Sequence, residues 1–121
     1  SRMTVTVSGA DGEIIEFVVT GRLTEEELAS AQQAAADVIR ERGRVRILVN
    51  TEGFDGWQQG GSWDDFSFQE QFDRYIEKMA FIGDRKWEDM VRLFSNEAFR
   101  AFPIEYFDSA DAEQARAWLS S

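Results

Sequence analysis

Apolar and polar positions along the chain change their period several times, and each change marks an element. Thr4 to Val7 alternates polar and apolar. Ser8–Gly12 (SGADG) then supplies turn residues before a second apolar, β-branched run at Ile14–Val19. Two such runs around a Gly- and Asp-containing turn predict a β-hairpin, with Gly21 expected to end it. Next, Leu28, Ala31, Ala35, Val38 and Ile39 recur at helical spacing. Thr24 and Glu27 stand in capping-box positions, Leu23 and Leu28 in staple positions, and Gly43 where a C-terminal cap belongs. Together they predict a helix over Glu25–Arg42.

Val45 to Val49 (VRILV) is nearly continuous in apolar residues, as expected of a central strand covered on both faces. An irregular, Gly- and aromatic-rich loop is expected to follow it as far as Trp63. Ser67 and Glu70 again have capping-box spacing, with Ser62 and Asp65 as an earlier alternative start. Phe68, Phe72, Tyr75, Ile76 and Met79 continue as the face of a second helix. Met79–Ile82 (MAFI) reads as a short core strand closed by Gly83 and Asp84. Asp84 would cap a third helix whose face is Trp87, Met90, Val91 and Phe94. Ser95–Phe102 has room for a helical turn before Pro103. Ile104–Phe107 reads as an edge-like strand. A last helix presents Ala112, Ala115, Trp118 and Leu119, with Asp108, Ser109 and Asp111 competing as its cap. The predicted order is ββαβαβαβα, an α/β class with a mainly parallel sheet and one antiparallel edge from the hairpin.

Composition narrows the chemistry. With 121 residues the chain fits a single domain over residues 1–121, and Ser1 and Arg2 ahead of Met3 carry no weight. Lys and Arg number 13 against 23 Asp and Glu, a formal net charge of −10. The densest basic run, Arg40, Arg42, Arg44 and Arg46, is split between a helix end and a strand. Such a surface repels phosphate backbones and anionic lipid, so neither nucleic acid nor a membrane surface is an expected partner. The chain has no Cys and no His. Thiol chemistry, disulfides and imidazole-dependent mechanisms are thereby excluded. No apolar run approaches a membrane span, and the start lacks a basic-then-apolar signal pattern. The expectation is a cytoplasmic protein.

Four stretches carry a family resemblance: LTEEEL at Leu23–Leu28, VRILVNTEGFDGW at Val45–Trp57, MAFIGDRKW at Met79–Trp87 and YFDSADAEQARAWL at Tyr106–Leu119. In this order they resemble the SpoIIAA-like branch of the STAS superfamily. The resemblance implies a mixed, mainly parallel sheet of four to five strands with helices packed largely on one side. It also implies a bacterial, largely uncharacterised group of non-enzymatic binding or regulatory proteins. The best-understood relatives, anti-sigma-factor antagonists, carry a phosphorylatable Ser directly after an Asp. Here Asp55 matches that Asp and Gly56 falls at the Ser position, so the family's phosphoryl switch has no hydroxyl to act on. Thr51 and Ser62 are nearby hydroxyls, but neither fits that position.

The candidate binding residues cluster after VRILV: Phe54, Asp55, Gly56, Trp57, Trp63 and Phe66, continued by Phe68 and Phe72. Two readings stand side by side. Either the rings fold inward over the open end of the sheet, or Gly53, Gly56, Gly60 and Gly61 let the loop present them as a hydrophobic patch. The carboxylates Glu52, Asp55, Asp64, Asp65, Asp84 and Asp108 match no metal-loop spacing and are expected to act as caps or solvated surface, so neither a metal nor a cofactor is expected. An acid-pair hydrolase would require a deep polar cleft with two facing carboxylates. Gly83–Asp84 lacks any nucleotide-loop pattern. The leading expectation is a non-enzymatic module that docks a protein partner through the strand-end loops. The alternative is a carrier or sensor of a small apolar, lipid-like ligand. The edge at Ile104–Phe107 leaves homodimerisation open.

Overall fold

The computed structural model describes residues 2–8, 14–57, 71–94 and 102–121, with the side chains of Arg2, Met3, Ser8, Trp57, Leu93 and Phe94 left aside. Five strands, β1 (Arg2–Ser8), β2 (Ile14–Leu23), β3 (Val45–Trp57), β4 (Ile76–Gly83) and β5 (Ile104–Asp108), form one sheet in the order β1-β2-β3-β4-β5. The β1–β2 hairpin is antiparallel, and every later pairing is parallel. Helices α1 (Glu25–Arg42), α2 (Glu88–Phe94) and α3 (Ala112–Ser120) complete the described architecture.

The period of two along each strand decides which residues meet which helix. Ile15, Phe17 and Val19 of β2, Val45 and Ile47 of β3, Met79 and Phe81 of β4, and Ile104 and Tyr106 of β5 share one core with Ala31, Ala35, Ala36 and Ile39 of α1 and Val91 of α2. The intervening positions Ile14, Leu48, Ala80 and Ile82 face the opposite way and are covered by Ala115 and Leu119 of α3. Among the described residues the larger core therefore lies on the α1 side, and α3 is the one helix that covers the smaller one.

α1 begins and ends where its sequence signals put it. The Thr24 hydroxyl accepts from the Glu27 N–H at 3.1 Å, and the Glu27 carboxylate accepts from the Thr24 N–H at 3.2 Å. Gly43 turns the chain at φ 88° while donating to Ile39 O at 2.7 Å. α3 is held at its C-terminal end by two cations from the sheet, Arg46 and Lys78, which sit in register on β3 and β4. Lys78 Nζ donates to Trp118 O at 2.9 Å, and Arg46 donates to Leu119 O. The last carbonyls of a helix lack intrahelical partners and carry partial negative charge, so this pairing answers both needs. Arg116 adds a 2.7 Å ion pair to Glu16 of β2.

Three boundaries differ from expectation. β2 does not stop at Gly21 but runs on to Leu23, because Gly21 adopts φ 68° and absorbs a register shift against β3. β3 does not give way to a loop after Val49. It continues through the Gly-rich stretch to Trp57, pairing Gly53, Phe54 and Trp57 with Thr20, Gly21 and Leu23. Ile76, expected on the second helix, belongs to β4 instead, and Met79, expected both to end that helix's face and to open the strand Met79–Ile82, follows the strand reading. That helix closes in a tight turn at Asp73–Tyr75, and parallel pairing with β3 takes over from Ile76. Short apolar runs fit either period, and the ladder decides. The earlier part of that helix lies outside the described residues, as does most of Ser95–Phe102. Among the described residues no helix is long and apolar enough to cross a membrane.

Candidate functional site

The carboxyl ends of parallel strands are where α/β sheets meet ligands and partners. Here that end is built by the last turns of β3, β4 and β5. Thr51 of β3 is only 5% exposed, and its hydroxyl donates to Ile82 O at 2.8 Å. Beside it, Gly83 leaves no room for a side chain: a Cβ there would lie 2.1 Å from Thr51 Oγ1 and 3.1 Å from the Tyr106 hydroxyl. The Tyr106 hydroxyl in turn donates to Asp84 O at 2.9 Å. Burial raises the Tyr106 phenol above its ordinary pKa, and the Thr51 hydroxyl opposes that shift. These bonds fix the turn that leads from β4 into α2.

That turn carries the exposed charge. The Asp84 carboxylate accepts from Lys86 N–H at 2.9 Å, which is the expected N-cap. Arg85 and Arg92 both pair with Glu88, at 2.7 and 3.0 Å. The Arg85 guanidinium, as the closest donor, holds the Glu88 carboxyl below its ordinary pKa, and Glu88 raises Arg85 in return. Lys86 lies 5.5 Å from the Trp87 ring centroid, and Arg85 lies 5.8 Å from that of Tyr106.

The sequence-derived candidates separate in space. Phe54 follows the inward reading: it is 8% exposed and meets Trp87 edge-on at 5.1 Å. Gly56, at φ 104°, passes beneath the same indole, with a Cβ position 3.6 Å from Trp87 Cη2. Asp55 between them is exposed. Trp57 ends β3, but its side chain lies outside the described residues, as do Trp63, Phe66 and Phe68. Phe72 is buried at the opposite end of the sheet, just ahead of β4, under the Arg40 guanidinium at 5.3 Å. Met90, expected on the buried face of α2, is 50% exposed, whereas its neighbour Val91 is buried.

Sequence reasoning missed Thr51, Tyr106 and the Arg85–Glu88–Arg92 cluster as parts of one end of the molecule. Gly83 was the available signal, since a glycine closing a core strand marks a close approach. Among the described residues no group of His, Cys, Asp or Glu is disposed to hold a metal ion.

A mixed sheet with four parallel strands, an antiparallel first strand and helices after β2, β4 and β5 is the α/β architecture of STAS-type domains. The family model described as SpoIIAA-like matches residues 14–120, and the chain belongs to that family. Its fold is similar to that of an uncharacterised protein of the DUF3478 family from Shewanella loihica PV-4, solved by crystallography and described as SpoIIAA-like. The two share 19% identity and a TM-score of 0.73, over 97% of this chain and 93% of that one. No curated protein matches the chain.

Proposed function

We propose that this protein is a non-enzymatic binding or regulatory module that docks a protein partner at the carboxyl ends of its parallel strands. The observation that carries the reading is the surface beside α2, where exposed Met90 stands three residues on from the half-buried Trp87, with Lys86 and Asp89 also exposed. Met and Trp supply adaptable apolar area, and the exposed charges next to them in the chain, Lys86 and Asp89, orient a partner electrostatically. Exposed Asp55 extends this surface along β3, with buried Phe54 and Gly56 supporting Trp87 from beneath. The absence of His and Cys removes the commonest proton-transfer and nucleophilic groups, which favours binding over catalysis. Gly56 leaves the module without the phosphoryl switch of the antagonists it resembles.

The test is quantitative capture of a partner from the source organism, followed by titration of that purified partner. Lys86 and Met90 are both exposed, so Lys86→Glu with Met90→Glu should leave the melting temperature close to that of the wild type. The same change should weaken the partner at least ~10-fold, about 1.4 kcal/mol. Equal affinity for wild type and variant would overturn the docking reading. Native mass spectrometry showing a stoichiometric copurified lipid would replace it with the carrier reading.

A further inference from the structure

We propose that a second copy of this chain pairs antiparallel along the outer edge of β1, about a two-fold axis at Val5. β1 ends the strand order: its seven residues bond to β2 on one side and to no described strand on the other. Alternate residues of such a strand turn their N–H and C=O groups outward, where they template a further strand. Monomeric proteins blunt such edges with charge, proline or bulges. Met3–Ser8 (MTVTVS) has no charged residue, no Pro and no Gly, and its ladder with β2 runs without a register shift.

Charge selects this edge over the other. The chain carries −10, so a second copy brings the same charge to any seam. β5 (IEYFD) would place Glu105 and Asp108 of both copies on a shared edge. β1 offers a seam uncharged from Met3 to Ser8, with its one charge, Arg2, at the strand end and opposite Ser8 of the second copy rather than opposite a like charge.

The strand also matches itself. Antiparallel pairing about Val5 sets Val5 opposite Val5, Thr4 opposite Thr6 and Met3 opposite Val7 of the second copy. A two-fold interface requires this kind of self-complementarity. Val7 is 41% exposed, one of the exposed large apolar side chains among the described residues, and the pairing gives it a neighbour. Thr4 and Thr6 are exposed on the opposite face, where Thr–Thr cross-strand pairs are favourable.

Sedimentation of the intact protein from about 1 μM to 1 mM spans the range from tight to weak dimers. The mass is expected to rise with concentration from 13.9 kDa toward twice that value. Thr4→Lys/Thr6→Lys, at exposed positions, should raise the dissociation constant at least ~10-fold with an unchanged circular dichroism spectrum and melt. The native chain has no cysteine, so register is read directly. Thr4→Cys mixed with Thr6→Cys should crosslink under oxidation, whereas either alone should not. A wild type that stays monomeric throughout, a lysine variant that dimerises like the wild type, or crosslinking of either cysteine variant alone would each overturn the proposal.

Discussion

Replacing Gly83 by Ala inserts one methyl group where β3, β4 and β5 come closest. The new Cβ would stand 2.1 Å from Thr51 Oγ1 and 3.3 Å from the Thr51 carbonyl carbon, well inside van der Waals contact. Gly83 is not among the glycines with positive φ, so backbone strain adds nothing and the cost is steric. Two responses are open. Thr51 can rotate away, giving up its 2.8 Å bond to Ile82 O and leaving buried polar atoms unpaired; that costs about 1–3 kcal/mol. Alternatively the strands part, with an overpacking cost of about 1–3 kcal/mol. Alanine returns only about 0.4–1 kcal/mol by restricting the unfolded chain. A net loss of about 1.3 kcal/mol is therefore expected, or roughly 5 °C in melting temperature for a domain of this size. Urea unfolding should show a lower midpoint with an unchanged slope. Adding Thr51→Ala removes the clashing oxygen, so the double variant should recover at least ~1 kcal/mol relative to additivity. A Gly83→Ala protein within ~0.5 kcal/mol of wild type, or strictly additive costs, would refute the steric account.

Other substitutions test other joints of the structure. Lys78→Met removes the ammonium bonded to Trp118 O and Ser121 at the end of α3, and should cost about 1 kcal/mol in urea unfolding. Thr24→Ala dismantles the α1 capping box at a cost of about 1 kcal/mol, read in the same assay. Arg85 holds the Glu88 carboxyl below its ordinary pKa, so its contribution is present above the usual glutamate range and lost as pH falls through the lowered value. Glu88→Gln should accordingly flatten the acid limb of the stability–pH curve. Burial raises the Tyr106 phenol, so its contribution is full below about pH 10 and lost as pH rises through the raised value. Tyr106→Phe should remove the late component of the alkaline absorbance titration.

α1 was legible to the residue because its determinants are local: Thr24, Glu27, the apolar stripe and Gly43 act within one segment. The continuation of β3 was not, because Gly53, Asp55 and Gly56 have loop chemistry and become strand only by pairing with the extended end of β2. Ile76 and Met79 complete a helical stripe on paper, yet parallel pairing with Val45 and Ile47 claims them. At the candidate site, sequence marked Phe54 and Gly56 but not their partner Trp87, which arrives from beyond β4. The Thr51–Gly83–Tyr106 contact joins three separate strands, and only the glycine that closes β4 hints at it from within one of them.

The unequal covering of the sheet has a consequence for how the native state loosens. Among the described residues, one face lies under the long α1 together with α2, whereas the nine-residue α3 is the one helix that covers the other. Segments open with free energies set by the apolar area they bury, so α3 should detach in partial unfolding events that leave the α1 side intact. Native-state hydrogen exchange would register this as amides of Ala115–Leu119 losing protection before those of Ala31–Ile39. The transient species would expose Leu48 and Ile82, making that side of the molecule the origin of aggregation under mild stress.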